Sequence, residues 1–458
     1  MKTAAGVFLG GAASRLLPAS IPFRFFGAAV AFHLLAWLAL LAGANQFPRF
    51  SGGLGWPLAA LHLVTLGVLV MTAIGASLQL LPVATRQPVR STRWPAAESQ
   101  PPSRFAPAPG GRRSPWGGPA AIWWLYTPGV AFVAFGMGSG LPLLLGVGAV
   151  AVALALLAYA VLLANNLRGA RGMPGVVAHG WAALGSLLVV LATALSLAGA
   201  YLGAPLLGRT TALALHIAFA AYGFMGLLAL GLSIILVPMF ALSAAPDERQ
   251  LLASCALAVT ALALAAVAAF GVAPQPLRVI AIAIGGGAVA LHLRLMREAL
   301  RTGMRRELGR SFTLVRIAWA SLVASLAGAL AVVLDAPLAG LSTLFGLTLI
   351  GGWLLTFLLG MLQRILPFLA SMHAARGSKR PPTPSSLSAD RPLAIHFFCH
   401  LAALAGLALA IVADSPMIAA LAAGVGALGA AAFAGFFLIL LRRMRASPPP
   451  PQPCITPA

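Results

Sequence analysis

The stretch HLVTLGVLVMTAIGASLQLLP, residues 62–82, decides how this chain folds. Within it Gly67, Gly75 and Pro82 stand in the spacing G-x7-G-x6-P. Gly223, Gly231 and Pro238 repeat that spacing, and so do Gly352, Gly360 and Pro367. Each copy lies inside a long apolar run. Three copies with the same internal spacing predict three structural repeats, each contributing one equivalent helix. His62 precedes the glycines of the first copy and His216 those of the second. Phe345 and Leu347 occupy the corresponding places in the third.

Composition sets the solvent. Of 458 residues 60% are hydrophobic and 8% charged, and the mean hydropathy is +0.96. A soluble domain cannot be made this way, because its surface would have little to offer water. Repeated apolar runs of roughly 20 residues mark membrane-spanning helices, which satisfy their own backbone groups in lipid. The net charge of +22 would suit nucleic acid, but its distribution excludes that partner. Arg49, Arg209 and Arg278 fall on one side of the expected bilayer, and the remaining Lys and Arg on the other. That is the positive-inside pattern of a bacterial cytoplasmic membrane protein, with the lipid bilayer as its partner and anionic headgroups near the basic loops. Cys255, Cys399 and Cys454 form no CxxC pair, so neither a disulfide framework nor a zinc ribbon is expected. The opening MKTAAGVFLGGAASR is too short and glycine-rich in its apolar part for a cleaved signal, and is expected to remain.

Twelve spans are predicted, at about 22–45, 55–83, 119–138, 141–166, 176–203, 209–243, 250–272, 277–300, 312–334, 338–370, 392–413 and 416–441. The fold class is an all-α membrane protein in a pseudo-threefold 4+4+4 arrangement, with both termini inside. Residues 1–21 form an N-terminal cytoplasmic segment, 22–166 repeat I, 167–311 repeat II, 312–446 repeat III and 447–458 a Pro-rich tail. Loops 84–118 and 374–391 are Pro- and Arg-rich and are expected to be disordered. The repeated motif falls on the second span of each group. The fourth spans end alike, in LANNLRGAR, LRLMREALRTGMRRE and LLRRMR.

Glycines along a membrane helix let a neighbouring backbone or a flat ligand approach. Gly67, Gly75, Gly223 and Gly231 therefore suit either helix packing or a cofactor face. The prolines are expected to end the helical ladder. Histidines in a bilayer need partners and mark function. His62 lies under two turns inside Trp56, and His216 about two turns inside Arg209. At about 1.5 Å per residue both sit roughly 10 Å deep. His62 shares a face with Thr65, Leu69, Ala73 and Ala76, and His216 with Ala220, Gly223 and Leu227. Small apolar surfaces beside a nitrogen donor suit a buried haem. Hydrogen bonding to a neighbouring helix is the plainer alternative for each.

Other candidates are placed more loosely. His33, mid-span, is an alternative axial ligand or a packing histidine. His396, Cys399 and His400 stand in HFFCH, where the i, i+4 histidines would bind a metal or simply make helix contacts at the inner interface. His179, His292 and His373 are expected to be solvated near that interface. Met71, Met225, Met239 and Met361 lie on the motif helices as soft ligands or as core.

These features together resemble the haem–copper oxidase subunit I superfamily. HLVTLGVLVMTAIGASLQLLPV is similar to that family's second helix, which carries a haem-ligand histidine before a Gly-rich stretch and a Pro. LVPMF resembles its sixth-helix ending, and GGWLLTFLLGMLQRILPFL its tenth. The resemblance covers about 22–441, and stand-alone subunit-I-like and nitric-oxide-response (NnrS-type) proteins are most similar in kind. It implies twelve helices in three four-helix arcs and a b-type haem. The departures are specific. Phe345 and Leu347 stand where the tenth helix would carry two histidines. Tyr222 follows His216 at the wrong offset, and the seventh span, LLASCALAVTALALAAVAAF, has no histidine. The acidic residues all fall in loops or at helix ends, where they build no proton path. A binuclear copper centre and terminal-oxidase activity are therefore not expected.

Two functional classes follow. One is a membrane protein binding a single b-type haem through His62 and His216, for electron transfer, gas or nitric-oxide response, or haem and copper handling, with an electron donor or respiratory subunit as partner. The other is a cofactor-free transporter, or an assembly or structural protein of a respiratory complex. Transporters commonly show two halves and buried charge, whereas this chain shows three copies and almost no intramembrane charge. The haem class is the stronger expectation.

Overall fold

The computed structural model describes residues 17–87, 118–374 and 382–446. Apolar runs long enough to cross a bilayer become twelve helices: α1 Ser20–Ala42, α2 Trp56–Ala84, α3 Pro119–Gly138, α4 Pro142–Arg168, α5 Pro174–Ala200, α6 Arg209–Ala241, α7 Glu248–Ala269, α8 Pro274–Thr302, α9 Gly309–Val333, α10 Leu341–Ala374, α11 Asp390–Val412 and α12 Pro416–Ala446. Among the described residues there is no strand. Six of the twelve begin with proline at their first or second position (α2, α3, α4, α5, α8 and α12), where a missing N–H is no loss. Asp247 caps α7 by accepting from the Gln250 N–H at 2.9 Å.

The same neighbour relations recur along the chain. α1, α5 and α9 each pack on the helix that follows. α3–α4, α7–α8 and α11–α12 each form a hairpin, and α4–α5, α8–α9 and α12–α1 each meet side by side. The last contact brings the first and last helices together. It is reinforced by Arg49, which donates to Asp414 at 2.9 and 2.8 Å across two exposed loops. That hydrogen-bonded pairing holds the Asp414 carboxyl below its ordinary range and lifts the Arg49 guanidinium.

The three motif helices share a local deformation. Each is π-helical over one stretch: Leu63–Val70 in α2, Ala218–Gly226 in α6 and Leu347–Leu355 in α10. Each π stretch ends three residues after the first glycine of its motif. The wider turn misaligns carbonyls that then need other donors. The Tyr126 hydroxyl donates to the Leu66 carbonyl at 3.0 Å, and Thr356 Oγ1 donates to the Gly351 carbonyl at 2.7 Å.

The glycines are used for packing. A Cβ on Gly67 would stand 2.7 Å from Phe32, and one on Gly223 2.7 Å from Ser186. On Gly75 it would stand 3.0 Å from Phe25, and on Gly231 2.8 Å from His179. In the third copy, Gly352 meets Ser321 and Gly360 meets Ser311 and Leu314. The preceding helix, α1, α5 or α9, thus lies in the groove that each glycine pair opens. Gly67, Gly75, Gly223 and Gly231 are not a cofactor face, because protein already fills the side they open.

Three further expectations are corrected. Pro82, Pro238 and Pro367 lie inside their helices, which run on to Ala84, Ala241 and Ala374. Neighbouring helices make one lost hydrogen bond tolerable in a bundle. His179 and His292 are fully buried rather than solvated. Of the loop expected at 374–391, residues 375–381 lie outside the described residues, while Pro384–Leu387 forms a helical turn capped by Thr383. That turn is held by Leu387 burial and by Arg443, which donates to the Ser386 and Ser388 carbonyls. The expectations for 88–117 and 447–458 also lie outside the described residues.

Candidate functional site

The two halves of the motif helices are packed differently. In the proline halves of α2 and α6 nearly everything is covered. Met71–Ala84 is buried at every position, and Leu227–Ala241 at all but Ala229 and Leu230. In the histidine halves little is covered. Only Pro57, Ala59 and Ala60 are buried within Trp56–His62, and only Ala212 and Leu215 within Arg209–Ile217. Leu341–Gly346 buries nothing. The three helices approach one another chiefly at their π stretches, where that of α10 touches those of α2 and α6.

Beside those stretches, in the proline halves, lies an apolar cavity of about 50 Å³. It is lined by residues that include Thr72, Ala76, Met225, Leu232, Leu354 and Met361. Cofactor pockets occupy about 300–1,000 Å³, so this cavity holds no macrocycle.

His62 and His216 are half-buried in the histidine halves, at the same end of two equivalent helices. Their hydrogen bonds assign their tautomers. His62 Nδ1 stands 3.0 Å from the Leu58 carbonyl, which can only accept. Nδ1 therefore carries the hydrogen and Nε2 keeps its lone pair. His216 Nδ1 stands 3.4 Å from Thr193 Oγ1. The Thr193 hydroxyl hydrogen is already directed to the Val189 and Val190 carbonyls, at 2.8 and 3.1 Å. Thr193 therefore accepts from His216 Nδ1–H, and His216 Nε2 is likewise left with a free lone pair. A metal-ligating histidine is commonly fixed in this way, with one nitrogen donating to an oxygen and the other presented to the metal. The donor set thus fits a haem iron. Phe345 and Leu347 are half-buried and offer no third nitrogen. Below the histidines Tyr222 stacks on Trp353, with centroids 5.6 Å apart, and donates to Ser325 at 3.1 Å.

The other histidines gather elsewhere. His33 accepts from Trp37 Nε1 at 3.2 Å, and its ring centroid stands 5.9 Å from that of His396. It belongs with α11 and α12 rather than with His62, so it is not placed as an axial ligand there. His396 and His400 stack at 5.6 Å and are fully covered rather than interfacial. Among the described residues no three His, Cys, Asp or Glu side chains are gathered to hold a metal. His179 is bonded to the Gly175 carbonyl at 2.7 Å and His292 to Ser233 at 3.0 Å. His373 is half-buried, with Nε2 3.3 Å from Gln79 Nε2.

The partners that give His62 and His216 their free nitrogens escaped sequence reasoning. Leu58 acts through its backbone, and Thr193 is one small polar residue among many in α5. The i−4 spacing of Leu58 from His62 was the one available signal. No protein-family model matches the chain, and no curated protein shows significant similarity to it.

Proposed function

We propose that this integral membrane protein binds one b-type haem in the histidine halves of α2 and α6, which His62 Nε2 and His216 Nε2 would hold. The observation that carries the proposal is the pair of imidazoles on equivalent helices whose Nδ1 atoms both have oxygen partners, leaving each Nε2 to a ligand. The Leu58 carbonyl and Thr193 hydroxyl orient the rings, and the apolar surroundings lower the local dielectric. Such a haem supplies reversible one-electron exchange at its iron. With both imidazoles committed to holding the group, the site would favour electron exchange over gas binding. The recurring helix contacts and the matched π stretches support a 4+4+4 ring of the kind the haem–copper oxidase resemblance implies. The charge asymmetry supports both termini inside a bacterial cytoplasmic membrane.

The test is the absorption spectrum of the detergent-purified protein, oxidised and dithionite-reduced. A Soret band with a sharp reduced α-band is expected. A colourless protein that shows no specific Soret shift on reconstitution with haem would remove this proposal and leave the transporter or assembly classes.

A further inference from the structure

A second imidazole cluster lies at the seam where α1 meets the last helices, and it goes beyond the haem proposal. His33, His396 and His400 are no more than 2% exposed, and Phe433 packs against the first two. Each ring has one nitrogen engaged and one buried nitrogen without a protein partner. The engaged nitrogens fix the tautomers. The Trp37 indole N–H only donates, so His33 Nε2 accepts and His33 Nδ1 carries the unpartnered hydrogen. The Gly429 carbonyl only accepts, at 3.2 Å, so His396 Nδ1 donates and Nε2 is an unpartnered lone pair. Thr356 Oγ1 gives its hydrogen to the Gly351 carbonyl, so His400 Nε2 donates to Thr356 at 2.8 Å and Nδ1 is an unpartnered lone pair.

The cluster is therefore left with one donor and two acceptors, within rings whose centroids stand 5.9 and 5.6 Å apart. Burying such groups unpaired is costly. A water molecule accepts one hydrogen bond and donates two, and buried waters typically make about three bonds of this kind. A metal ion needs a lone pair from each ligand, and that of His33 is committed to Trp37. Neither does the cluster make a proton wire. The outer nitrogens end on an indole N–H, a carbonyl and a hydroxyl whose hydrogen is already held.

We infer that His33, His396 and His400 form a binding site for a single buried water, which accepts from His33 Nδ1–H and donates to His396 Nε2 and His400 Nδ1. The site ties α1 to α11 and, through Thr356 and Gly429, to α10 and α12. It closes the seam between the two ends of the chain.

The test is a density map of the intact protein at a resolution that shows ordered water, with anomalous data from a crystal treated with Ag(I). One peak within about 3.2 Å of all three nitrogens, without anomalous signal, is expected. His33→Gln, whose amide still donates, should keep the peak, and His33→Phe should lose it. An empty centre, an anomalous peak there, or a peak that persists unchanged in His33→Phe would each overturn the inference. None of these outcomes bears on haem at His62.

Discussion

The histidine and proline halves of α2, α6 and α10 belong to the same three helices but carry different burdens. The proline halves of α2 and α6 are covered almost residue by residue, beside a cavity of about 50 Å³ that α10 helps to line. The histidine halves are half-open and hold two imidazoles with free nitrogens. The π stretches mark the boundary, and there the three helices come closest. Dense packing and the candidate site are thus separated along one set of helices. The glycine that brings a neighbour close in one half would leave no room for a cofactor in the other.

This separation can be broken by substitution. The largest effect is expected from the double variant His62→Ala with His216→Ala, which should abolish the haem bands while the protein elutes as a folded monodisperse species. Spectra and size exclusion measured together check this, and loss of both would mean that the halves are not separable. Thr193→Val removes the oxygen that orients His216 and should weaken haem retention about 10- to 100-fold, read by haem transfer to an apoprotein acceptor. Gly231→Leu forces a side chain into His179 in the proline half. It should cost about 1–3 kcal/mol of stability in thermal unfolding, with haem lost only as the fold is lost. The smallest effect is expected at Asp414→Asn. The Asp414 carboxyl is held below its ordinary range in the folded protein. Its contribution is present above the unfolded value of about 3.9 and fades as pH falls through the lower folded value. The variant should therefore show a slightly flatter acid limb of stability, measured from about pH 3 to pH 7. The change is minor because both partners are exposed.

The spacing of Gly67, Gly75 and Pro82 and its two copies revealed the central helices, because close helix contacts in a membrane require small residues at regular intervals. The twelve spans were legible for the same thermodynamic reason: lipid demands long apolar runs. What the glycines face was not legible. Periodicity places them on one side of a helix, but only the fold shows that α1, α5 and α9 fill that side. The π stretches had no signal in the sequence; in α2 and α10 a carbonyl within them takes a hydrogen bond from Tyr126 or Thr356. His179, His292 and His396 looked interfacial from their distance to helix ends, yet the hairpins around them cover those ends. His62 and His216 were legible as candidates from their depth. Their free nitrogens were not, because these depend on a backbone carbonyl and on a threonine of α5.

The most direct test of the account is the spin state of the iron, read by low-temperature electron paramagnetic resonance of the oxidised protein. Wild type should give a low-spin signal from two axial imidazoles, and His216→Ala should convert it to high-spin with haem still bound through His62. A high-spin wild type, or a low-spin signal untouched by His216→Ala, would contradict the assignment of His62 and His216 as a ligand pair.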